Sequence, residues 1–158
     1  VAIMKLDEIK KEYTELAKKY KLPAFKELNE NFEVYKAGKD RDCFLRSVRK
    51  VMMDKIVNAL GFLEMLLNAV NVPRMYTPYL RVMTTEDRKN IERIYVILAE
   101  LSILSLQLEI DYSEKEEAEL IKKIYNSWKG IKSDFKNILI KVNKPGIDVS
   151  RKEKSYFG

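Results

Sequence analysis

Apolar side chains recur at steps of three and four residues through most of the chain, the spacing that lines one face of an α-helix. Leu6, Ile9, Tyr13, Leu16 and Tyr20 set the first such row, and Leu22-Pro23 ends it. Phe25 and Leu28 follow three apart after a proline suited to a first turn, predicting a two-turn helix over residues 24–31. Residues 32–40 (FEVYKAGKD) alternate briefly, the pattern of an extended segment, before a turn at Gly38. One such patch cannot make a sheet.

The longest unbroken row begins near Arg41 and runs through Leu45, Val48, Met52, Ile56, Leu63 and Leu66. With no proline before Pro73, it predicts a helix of about 30 residues, roughly 45 Å long at 1.5 Å per residue. Its second apolar edge, Met53, Val57, Leu60 and Gly61, calls for a second neighbour, either the first helix, which is the preferred answer, or another subunit. Residues 72–83 (VPRMYTPYLRVM) read as an irregular connection in which Thr77-Pro78 starts one extra turn.

Thr84 and Thr85 with Glu86 and Asp87 supply a cap and first-turn acids for the next helix, seamed by Ile91, Ile94, Leu98, Leu101, Ser105 and Leu108. Ile97, Ile103, Leu104 and Leu106 widen its apolar arc, so this helix is expected to be the most enclosed element. Ser113 and Glu116 have the spacing of a capping box and open a last helix along Leu120, Ile124, Ile131, Phe135, Ile138 and Val142, with Trp128 at its edge. Only Asp111 and Tyr112 connect these two helices, which therefore fold back as an antiparallel hairpin. Pro145 and Gly146 end the pattern.

The expected fold is all-α, an antiparallel helical bundle of three long helices plus a medium N-terminal helix and a short second helix. One domain is expected over residues 1–158, with a flexible basic tail over residues 145–158. Five Gly and four Pro are too few for a turn-rich sheet, and 46% hydrophobic residues suffice for a core. The most apolar windows, residues 56–70 and 94–110, fall short of the about 20 residues of a membrane span and contain Glu64, Glu100 and Glu109. A lone Cys43 and an N-terminus without a secretory apolar region suggest a cytoplasmic setting.

The chain contains no histidine, which removes paired Glu-x-x-His metal centres, the usual zinc sites and His-based triads. Gly-rich phosphate loops are missing too. Glu64 and Glu100 project onto polar strips, beside Arg46 and Lys50 and beside Arg93 and Lys89 respectively, and do not form a facing carboxylate pair. No enzymatic activity, cofactor or metal is expected.

Arg74, Met75, Tyr76, Tyr79 and Arg81 are residue types that dominate recognition surfaces, and they mark the connection at 72–83 as a partner-binding loop. A competing explanation is that Met75, Tyr76 and Tyr79 plug the bundle end. The leading expectation is a protein–protein interaction or assembly module whose partner is another protein or a second copy. The alternative is a nucleic-acid-associated protein. The net charge is +6, and Lys122, Lys129, Lys132 and Lys136 fall within an arc of roughly 80° with Tyr125 among them as a stacking surface. Arg46, Arg49 and Lys50 make a second basic cluster; solvated helix faces explain both groups equally well.

Overall fold

The structure, a computed structural model, describes residues 4–38, 42–68, 70 and 72–144, so the expected tail over 145–158 lies outside the described residues. Its long elements are α3 (Phe44–Leu67), α5 (Thr85–Ile110) and α6 (Glu114–Asn143), preceded by α1 (Leu6–Tyr20) and α2 (Phe25–Phe32) and interrupted by the short α4 (Thr77–Val82). No strand occurs among the described residues, and the fold is an all-α helical bundle.

Side-chain pairs give the helix directions. Glu100 meets Lys123 at 2.7 Å, Arg93 meets Asp134 at 2.7 Å and Asp87 meets Lys141 at 2.6 Å. As numbers fall along α5 they rise along α6, so the two are antiparallel. Arg49 meets Glu117, Lys55 lies 5.5 Å over the Trp128 ring, and Phe62 stacks edge-on to Phe135 at 6.3 Å. These numbers rise together, so α3 runs parallel to α6 and antiparallel to α5. Met52, Ile56 and Leu63 of α3, Ile91 and Leu98 of α5 and Ile124 of α6 are fully buried between them. Each such side chain contributes about 1.5–3 kcal/mol of burial.

The helix starts follow their sequence signals unevenly. Thr84 Oγ1 accepts from the Asp87 N–H at 3.0 Å while the Asp87 carboxylate accepts from the Thr84 N–H at 3.1 Å, a complete reciprocal cap. Ser113 Oγ accepts from the Glu116 N–H at 3.4 Å, but Glu116 returns nothing and points to solvent, so that box is half formed. α1 and α2 both end on non-glycine residues in the left-handed region, Lys21 (φ 57°) and Glu33 (φ 53°). The reversal at Glu33 turns Val34–Ala37 into a 3-10 helix where alternation suggested an extended segment. Gly38 then accepts from the Met4 N–H at 2.8 Å, and a side chain there would begin 2.6 Å from Ile9 Cδ1.

Two packing expectations are corrected. α5 is not enclosed: α3 and α6 cover one side of it, and Val96, Ile103, Leu106 and Ile110 on the other side are between 58% and 80% exposed. α1 does not fill the second edge of α3; it packs on α2, α6 and the 3-10 turn at Val34–Ala37. Val57 is left half exposed, and Gly61 faces open space. Among the described residues no helix is long and apolar enough to cross a membrane.

Candidate functional site

The largest fully buried side chain is Arg49, 1% exposed at the α5–α6 hairpin end of α3. It donates from Nε and Nη2 to the two carboxylate oxygens of Glu117 at 2.7 and 3.0 Å, and from Nη1 to Ser105 Oγ and Glu109 Oε1, both at 2.8 Å. Arg46 donates to the Leu108 carbonyl at 2.9 Å, holds its Nε 3.6 Å from Glu117 without a hydrogen bond, and lies over the Tyr112 ring. Burial works against the charged form of Arg49, but its hydrogen bonds to Glu117 and Glu109 raise its pKa. Burial likewise opposes Glu109, yet the Arg49 hydrogen bond and charge hold its carboxyl below the usual range. The guanidinium is thus spent inside the protein, and Arg49 drops out of the expected basic cluster of Arg46, Arg49 and Lys50. Lys50 is 3.6 Å from the other oxygen of Glu109.

The recognition loop divides. Tyr79 is buried, its hydroxyl without a partner among the described residues, and Tyr76 packs edge-on against Phe62 at 5.8 Å, so these two close the bundle end. Burial pushes the Tyr79 phenol up to about 12, with Asp87 adding to the shift. Tyr79 is therefore corrected as a partner contact. Arg74, Met75 and Arg81 are exposed, Met75 by 73%.

The lysine row divides as well. Lys122 pairs with Glu119 at 2.7 Å, and Lys129 lies over the Tyr125 ring at 5.2 Å. Tyr125 is only 8% exposed and its hydroxyl donates to Glu27 at 3.0 Å, so it offers no stacking surface. That correction removes the aromatic half of the nucleic-acid reading. Lys132 and Lys136 instead border a 690 Å³ groove between α2, α3 and α6. Along it the rings of Phe32, Trp128, Phe135 and Phe62 follow one another with centroids 6.1–6.3 Å apart, Trp128 being buried and not at an edge.

Lys55, which the sequence reading did not single out, sits above Phe32 and Trp128 and donates to the Asn31 carbonyl. Burial first, then the charge of Lys132, lowers its pKa.

The exposed apolar row of α5 adjoins Val57 of α3: Leu106 and Val57 line one 570 Å³ groove with Met53 and Ser105. A further hollow of 820 Å³ between α5 and α6 is lined by Leu104, Leu108 and Leu120, with Asp111, Glu116 and Glu119 against Lys122 and Lys123. Among the described residues no cluster of three or more acidic or cysteine side chains has the arrangement of a metal site.

The α5 row and the Lys55 groove are the two features that sequence reasoning missed. Apolar residues beyond the α5 seam carry the first signal, whereas Lys55 looks like any exposed lysine. Comparison of the chain with protein-family models, with curated proteins and with solved structures finds no match.

Proposed function

We propose that the protein is a non-enzymatic helical-bundle module that assembles through the outer face of α5, with a second copy as partner. The observation that carries this reading is the exposed row Val96, Ile103, Leu106 and Ile110, too large and too aligned to be scattered surface residues. Val96 and Ile110 stand equally far in sequence from Ile103, two helical turns on either side. Antiparallel pairing of two α5 helices about a two-fold axis at Ile103 therefore sets Val96 of each copy against Ile110 of the other, the self-complementary contact that such symmetry requires. Val57 extends the apolar area onto α3, and Arg74, Met75 and Arg81 are exposed as a secondary contact.

Light scattering across a concentration series tests the reading. A concentration-dependent dimer mass supports it, and a monomer mass at the highest attainable concentration refutes it.

A further inference from the structure

The groove between α2, α3 and α6 joins an apolar aromatic wall to an excess of positive charge among the described residues. Four lysines line it, Lys36, Lys55, Lys132 and Lys136, against two carboxylates, Glu33 and Asp54. Glu33 is engaged by Lys36 at 3.1 Å. Among the described residues no carboxylate lies within ion-pair distance of Lys55, Lys132 or Lys136; Lys132 makes only a 3.1 Å hydrogen bond to Asn31 Oδ1. Like charges held together without a counter-charge repel, and an arriving anion relieves that repulsion.

The rest of the lining is apolar. Phe62 and Phe135 are half-buried, and Leu139, Val51 and Ala59 continue the wall. Phe32 and Trp128 are too deeply buried to offer a face to a stacking base, and the wall has little that would read a base edge. Among the described residues the buried indole N–H of Trp128 has no acceptor. At 690 Å³ the groove has the size of a small-molecule site.

We propose that this groove binds a soluble anionic amphiphile of the fatty-acid type, its chain along Phe62, Phe135 and Leu139 and its carboxylate among Lys55, Lys132 and Lys136. Neither the two-fold pairing of α5 nor any catalytic step is involved. The lysines select the charge, and the aromatic wall takes the chain out of water.

Trp128 is the one tryptophan of the chain and lies in the wall, so its fluorescence reports occupancy. Dodecanoate, kept below its micelle concentration, is titrated into the full chain alongside dodecyl maltoside, dodecyltrimethylammonium and phosphatidylglycerol vesicles. Saturable one-to-one change with dodecanoate alone is expected. Lys132→Glu with Lys136→Glu should weaken it at least about tenfold at low salt, and Lys115→Glu, outside the groove on the same helix, should leave it unchanged. Circular dichroism of the variants confirms that the helices persist. Four results would each overturn the proposal: no saturable response, equal response to the neutral or cationic amphiphile, indifference to the double charge reversal, or a response confined to phosphatidylglycerol vesicles.

Discussion

Arg49 and Glu117 face each other as a two-pronged pair, 2.7 and 3.0 Å apart, with neither side chain more than 1% exposed. Glu117 belongs to the first turns of α6, Ser105 and Glu109 to the end of α5, and Arg49 to α3, so one guanidinium ties all three long helices at the hairpin end. Truncating one member strands the other charge in a site closed to water. Arg49→Met is therefore expected to lower the unfolding free energy by about 3–5 kcal/mol. Adding Glu117→Leu should recover most of that loss, because an apolar pair replaces the uncompensated carboxylate. Urea denaturation of the single and double variants measures both; a double variant as weak as the single would show that the pair does more than satisfy its own burial.

Tyr79 closes the bundle end through its ring, while its hydroxyl is buried without a partner among the described residues. An unsatisfied buried polar group costs about 1–3 kcal/mol. Tyr79→Phe keeps the ring and removes that cost, so it should raise stability by about 1 kcal/mol. A fall in the denaturation midpoint would mean that the hydroxyl has an acceptor.

Three carboxylates titrate below their ordinary range. Tyr20 donates to Glu114 at 2.6 Å, and despite the opposing effect of burial this bond, with help from Lys19, lowers its pKa. For Asp87 burial opposes, and Lys141 and Thr84 prevail. Glu109 answers to Arg49 in the same way. A folded-state pKa below the unfolded one means stability that is present at neutral pH and lost as pH falls from the ordinary carboxylate range through the depressed folded values. The urea midpoint should hold steady near neutrality and drop below about pH 5. Lys141→Met should make that drop shallower by removing the partner of Asp87, and an unchanged slope would separate Asp87 from the effect.

If two copies pair about Ile103, a charge there is buried against its own image. Ile103→Glu is expected to convert the dimer to monomer in light scattering while leaving the thermal midpoint of the monomer within about 2 °C, since Ile103 is more than half exposed within one chain. A dimer that survives Ile103→Glu would place the interface elsewhere.

The helices themselves were legible because helix formation is local. Steps of three and four in the apolar residues, a proline after Leu22 and acids after Thr84 act within one or two turns, and α1, α5 and α6 stand where those signals put them, whereas α3 spans 24 residues and ends at Leu67, short of the about 30 that the run to Pro73 suggested. The polar network was legible only in part. Arg49 occupies the seam register between Leu45 and Met52, Ser105 that between Leu101 and Leu108, and Glu117 that before Leu120 and Ile121. Three polar residues at three core positions were the signal, and reading Arg49 by its type instead of its register set it on a basic surface. Tyr125 and Tyr79 were misplaced for a related reason: an aromatic residue with a hydroxyl suits either a core or a binding face, and only its neighbours distinguish the two.

By itself the sequence determined the class of structure and the absence of imidazole chemistry, since both follow from residue identity and short-range spacing. The tertiary structure decided which apolar face lacked a neighbour and which lysines lacked a counter-charge. Those outcomes depend on how α1 and α2 cross the bundle. They cover the α3–α6 side and leave α5 bare, and no window of consecutive residues encodes that choice.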